Sequence, residues 1–137
     1  MHNVQAMLAQ QRTKLMSGIF ITFSGNCKQA LMFYQACFGG EVQIESLESP
    51  LQGYSEIPVI SGSLLSDRIT IHGSDLVHNE GRQIGNYMSI FLPCRDDLER
   101  NAIIARLAPE YVGIRADEGL ALVEVTDPFD VRWVLGI

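Results

Sequence analysis

His72 interrupts the run Arg68-Ile69-Thr70-Ile71-His72-Gly73, otherwise largely apolar or β-branched toward its end. An imidazole so placed can shuttle a proton or hydrogen-bond a ligand, because it titrates near neutrality. More often a histidine within a sheet simply has its hydrogen bonds satisfied there. Glu124, in Ala121-Leu122-Val123-Glu124-Val125-Thr126, is the one acid inside a strand-like run of the second half. Alternation points it away from whatever Val123 and Val125 face. His72 and Glu124 are the candidates for catalysis, with Tyr87 as a possible third group, although two ligands seldom suffice to hold a metal ion. Ser61 and Ser63 share one face of a strand and can hydrogen-bond a ligand or merely fill space. Tyr87 and Trp133 read as strand aromatics that line a pocket or, more commonly, serve the core.

The three cysteines are Cys27, Cys37 and Cys94. Their odd number and the lack of a CxxC pair argue against disulfides. On one helix Cys27 and Cys37 would stand about 15 Å apart along the axis, too far to bridge. They read as small core hydrophobes, with Cys27, near a helix start and beside Lys28, the one candidate for a reactive thiol. The sequence holds no GxSxG, no phosphate-cradling glycine-rich loop and no HExxH.

These residues need elements to hold them. Residues 17–24 are rich in β-branched and aromatic types and predict a strand. Gly25-Asn26 breaks it, and Asn26 followed by Gln29 predicts a helix cap with its reciprocal partner. Cys27, Ala30, Leu31, Tyr34 and Phe38 then fall on one helical face. Gly39-Gly40 ends that helix. Strands follow at 41–48, 58–65 and 68–73, the last two joined at Ser66-Asp67, with a long loop over 74–85. The order then begins again. A strand is predicted at 86–92. A helix opens at Asp96 and Glu99, with Leu98, Ala102, Ile104, Ala105 and Leu107 on its apolar side and Pro109 stopping it. Strands follow at 111–115, 119–126 and 131–136, with a turn at Asp127-Pro128-Phe129-Asp130. Two modules of strand, helix and three strands, about 17–75 and 86–137, form one α+β domain over 17–137. Each is too small to cover both faces of its sheet. Residues 1–16 lie outside the repeat as an extension, either a short amphipathic helix carrying Val4, Met7, Leu8 and Leu15 or a frayed tail.

Composition sets the outer bounds. The 137 residues fit one domain, and 47% hydrophobic content is enough for a core. No apolar run approaches the roughly 20 residues of a membrane-spanning helix, and the first sixteen residues lack a secretory pattern. A cytoplasmic protein without membrane partners is expected. The net charge is −6 and the basic residues are scattered, so nucleic-acid binding, which needs a basic face, is excluded.

The stretch Phe23-Ser24-Gly25-Asn26-Cys27-Lys28-Gln29-Ala30-Leu31-Met32-Phe33-Tyr34, running on to Phe38-Gly39-Gly40-Glu41, resembles the FxGNCxEAxxFYxxxFGGE opening of the PhnB-like branch of the vicinal oxygen chelate (glyoxalase/bleomycin-resistance/dioxygenase) superfamily. His72-Gly73-Ser74-Asp75 is similar to that branch's strand ending in SD, and Thr126-Asp127-Pro128-Phe129 with Trp133 to its TDPFGxxW close. The resemblance runs from about residue 17 to the end. It implies paired βαβββ modules whose mixed sheets curl into a half-open cup, a homodimer, and a cleft for a small molecule. In catalytic members a divalent metal in the cup, held by His, Gln or Glu, stabilises an enolate-like anion as a Lewis acid. This sequence departs from that pattern. The strands at 17–24, 86–92 and 131–136 contain no His, Glu, Gln or Asp. Where the branch often has VMHAEL, this chain has Val59-Ile60-Ser61-Gly62-Ser63-Leu64, with Ser61 at the imidazole position and Ser63 at the carboxylate position. A serine hydroxyl replaces neither donor, so no metal or other cofactor is expected. The branch is often labelled after a demethylubiquinone methyltransferase, yet nothing here resembles a glycine-rich methyl-donor turn.

The expectation is a metal-free binder of an unidentified small molecule, with Ser61, Ser63, His72, Tyr87, Glu124 and Trp133 as candidate ligand-binding residues. The alternative is a metal-independent or weakly metal-dependent enzyme of lyase, isomerase or resistance type using His72 and Glu124. A third reading is an interaction scaffold whose cup is filled by its own side chains.

Overall fold

The computed structural model describes residues 17–76, 82–111 and 119–137. The chain divides into two compact units, Met1–Arg82 and Gln83–Ile137. In the first, β1 (Ile19–Thr22) leads into α1 (Cys27–Phe38), then β2 (Glu41–Ser46), β3 (Val59–Leu65) and β4 (Thr70–Ser74). The sheet order is β1-β4-β3-β2, with β1 parallel to β4 and the other neighbours antiparallel. The second unit holds β5 (Ile90–Pro93), α2 (Asp97–Leu107), β6 (Leu122–Thr126) and β7 (Arg132–Gly136). Its order is β5-β7-β6, again with first and last strands parallel. The fold is α+β with two mixed sheets, neither closed into a barrel among the described residues. The strand expected at 111–115 falls, from residue 112 on, outside the described residues, as does the extension 1–16. Among the described residues no helix is long and apolar enough to cross a membrane.

The spacing that predicted α1 also fixes what it buries. Cys27, Ala30, Leu31 and Tyr34 are wholly covered, while Cys37 rather than Phe38 completes the buried face. The helix packs across β3, β2 and β4. Glycine at position 62 permits the close approach, since a β-carbon there would come within 2.6 Å of Leu31 Cδ1. At the other end Gly39 and Gly40 adopt φ of 74° and 96°, and a β-carbon on Gly40 would run into the carbonyl oxygen of Leu65.

The start of α1 corrects the sequence reading. Asn26 makes no side-chain cap bond. Asp75, 48 residues beyond Cys27, takes that place. Its Oδ1 accepts the backbone N–H groups of Gly25 at 2.7 Å and Cys27 at 3.1 Å, and its Oδ2 accepts that of Val59 at 2.9 Å. A buried carboxylate can accept several N–H donors at once and complements the positive end of the helix.

In α2 the predicted start holds, with Asp96 Oδ1 accepting the Glu99 N–H at 2.8 Å. Ile104 and Leu107 lie on the buried side as expected, but Leu98, Ala102 and Ala105 do not. Arg100, Ile103, Ile104 and Leu107 are covered, whereas Leu98 is 79% exposed. The Arg100 guanidinium donates to the Leu120 carbonyl at 2.7 Å and to Asp97 at 2.9 Å, so its stem is buried without stranding its charge.

The turn before β7 is built on Asp127, which is 4% exposed. Its Oδ1 accepts the N–H groups of Phe129 and Val131, and Oδ2 accepts the Trp133 indole N–H at 2.8 Å. Asp130, where the similar motif has glycine, takes φ of 62°, a left-handed conformation that aspartate tolerates. Strand β5 begins at Ile90, four residues later than expected. Val131, the residue before β7 and in line with Met88, has both backbone groups bonded to Asp127.

Candidate functional site

Pleating sends alternate residues of the first sheet to opposite sides. One side carries Ile21, Ile71, Leu64, Gly62 and Gly73 and is covered by α1. The other side, which α1 leaves uncovered, is polar, and on it Ser63 and Ser74 are buried while Ser61 and Glu45 are exposed. Register aligns Phe20 with His72, His72 with Ser63, and Ser63 with Gln43, one straight row across all four strands. The next row toward the end of β2 pairs Glu45 with Ser61.

Within that row the groups differ in burial. Phe20 is 53% exposed, His72 is half-buried and Ser63 is 8% exposed. The hydroxyl of Ser63, the imidazole of His72 and the amide of Gln43 form no hydrogen bond with any other described residue. Three polar side chains in register, each with unspent hydrogen-bonding capacity, stand beside an exposed aromatic ring. Such a surface can orient a small molecule by two or three hydrogen bonds and hold its flat part against the ring.

His72 has a fixed seat. A β-carbon on Gly18 would lie 3.2 Å from His72 Cδ2 and 3.3 Å from Nε2, so the imidazole occupies the space that glycine leaves.

The candidates named from sequence therefore separate. Ser61, Ser63 and His72 share the polar face of the first sheet. Glu124 lies on the exposed side of the second, where its Oε2 meets Arg132 Nη2 at 2.5 Å. Its carboxylate is paired with that guanidinium. Tyr87 is not on a strand and is 88% exposed, because β5 starts beyond it. Trp133 is fully buried on the face opposite Glu124, its indole N–H taken by Asp127. In this structure it packs in the core. Cys27 is also corrected as a thiol nucleophile. Burial, and secondarily the nearby Asp75 charge, push its pKa up to about 12.

Sequence reasoning missed Phe20, Gln43 and Glu45. Glu41, Gln43 and Glu45 alternate along β2, a visible period of two, but only strand register shows that their face is the one bearing Ser63 and His72.

The divalent ion that the sequence resemblance implies for catalytic members asks for three or more imidazole or carboxylate-type donors. Among the described residues no group of three His, Cys, Asp or Glu stands together. The row offers phenyl, hydroxyl and amide groups around one histidine. The residues present do not fit the ion.

No protein-family model matches the chain, and no curated protein matches it. Solved structures do. The PhnB protein from Bacillus cereus superposes with a TM-score of 0.68 at 19% identity, over 88% of this chain and 97% of that one. The fold is the glyoxalase fold of PhnB-like proteins. Protein PA1353 from Pseudomonas aeruginosa gives a TM-score of 0.62 at 21% identity over 89% and 96% of the two chains. The gene product AT5G48480 from Arabidopsis thaliana gives 0.59 at 19% over 89% and 98%. Identities this low carry the architecture and leave the chemistry to the site itself.

Proposed function

We propose that this PhnB-like glyoxalase-fold protein binds a small molecule without a metal ion and without the chelate chemistry that the resemblance implies for catalytic members. One observation carries the reading: Gln43, Ser63 and His72 stand in register on the polar face with their hydrogen-bonding groups unspent, next to the exposed ring of Phe20. The protein is read as a cytoplasmic homodimer. The exposed apolar side chains of Phe91 and Leu122 on the second sheet support a protein partner there, and light scattering of the eluting species tests the dimer.

The test of function is to purify the chain from its native cells, release bound molecules by denaturation and identify them by mass spectrometry. A stoichiometric organic molecule is expected, greatly reduced in the Ser63→Val and His72→Ala variants. An equal yield from both variants, or a stoichiometric divalent ion by elemental analysis, overturns the proposal. Added zinc, nickel or manganese is expected to leave the melting temperature unchanged, because a ligand that binds the native state must raise it.

A further inference from the structure

The polar face of the first sheet has a charge pattern that the hydrogen-bonding row does not by itself require. Its outer column, on β2, reads Glu41, Gln43 and Glu45 at alternate positions. Both glutamates are exposed and make no ion pair with any described residue. None of β1, β2, β3 and β4 contains a lysine or arginine. Beside that column stands Ser63, 8% exposed and with its hydroxyl unpartnered, flanked in register by Gln43 and His72. At the far side is the exposed ring of Phe20.

Resting on the small-molecule reading above, we infer that this face selects a flat aromatic molecule bearing a positive charge. Four strands at about 4.8 Å spacing separate the Phe20 and Gln43 backbones by roughly 14 Å. Side chains in such a row stand roughly perpendicular to the sheet, so a ligand about 10 Å long lies across it from beside Phe20 to Gln43. The ring lies against Phe20, a hydrogen-bonding group meets Ser63 and His72, and the cationic end lies between Glu41 and Glu45. A ligand of the same shape ending in a carboxylate meets two like charges and no lysine or arginine on the four strands, an arrangement that opposes binding.

Tryptamine and indole-3-propionate have nearly the same shape and opposite charge, which makes them the probes. Titration of the full chain, followed by two-dimensional amide NMR, is expected to show tryptamine binding at least about tenfold more tightly. The shifts are expected at Phe20, Gln43, Ser63 and His72. In the Glu41→Gln, Glu45→Gln double variant the preference falls below about threefold, with little change for the anion. Equal or tighter binding of indole-3-propionate overturns the charge selection while leaving the small-molecule reading intact. Binding of neither probe up to about 10 mM, or shifts confined to residues of the second unit, also overturns it. The identity of co-purified molecules tests the broader reading independently.

Discussion

The imidazole of His72 rests on Gly18, within 3.2 Å of where that glycine's β-carbon would be. Because Thr70's carbonyl oxygen would also stand 2.9 Å from the added atom, Gly18→Ala must displace the ring or the strand edge. The variant is expected to lose about 1–2 kcal/mol of stability and to move the His72 ring resonances, with weaker retention of any co-purified molecule. Unchanged ring resonances in a folded variant would mean that His72 is positioned by something else.

Asp75 joins the β1–α1 turn to the start of β3 through three backbone N–H groups. Asp75→Asn keeps one acceptor oxygen but turns an amide donor toward Val59 or the helix. Charged hydrogen bonds contribute about 1.5–3 kcal/mol each, so a loss of roughly 2–4 kcal/mol is expected in urea unfolding. A loss under about 0.5 kcal/mol would show that the loops hold themselves without the carboxylate.

The Cys27 thiol, raised from 9.0 to about 12 chiefly by burial, keeps its proton in the folded chain where the unfolded chain has released it. Stability is therefore intact below about pH 9 and falls as the pH rises toward 12. Cys27→Ala is expected to flatten that part of the stability profile. Iodoacetamide at about pH 8.5 is expected to spare Cys27 until the protein is unfolded, since the thiolate is the reactive form. Rapid native labelling of Cys27 by peptide mapping would contradict its protected state.

Trp133, the one tryptophan of the chain, donates to Asp127 at 2.8 Å in a fully buried setting. Trp133→Phe leaves a carboxylate oxygen short of a donor and a small void, together costing about 2–4 kcal/mol. Adding Asp127→Asn to Trp133→Phe is expected to cost less than the sum of the single changes, as for any directly coupled pair. Strict additivity in thermal unfolding would show that the two residues act independently.

Much of the architecture is written in short-range pattern. The period of Cys27, Ala30, Leu31 and Tyr34, the Gly39-Gly40 stop and the Asp96 cap are local signals, because each depends on neighbours within a turn or two of chain. Errors arose where a distant group intervened. Asp75 displaced Asn26 at the α1 start, and the Leu120 carbonyl holds the Arg100 guanidinium so that Arg100, not Leu98, lies on the buried side of α2.

For the site, the sequence by itself determined which chemistry was present: serines where the motif it resembles has metal donors, one histidine in a strand, and acids alternating along β2. Tertiary structure decided which of these groups meet. A strand's side chains have a period of two, so composition reveals two faces, but neighbouring strands set by register alone decide which residues stand side by side. That long-range pairing placed Gln43, Ser63 and His72 in one row beside Phe20, sent Trp133 into the core, and paired Glu124 with Arg132.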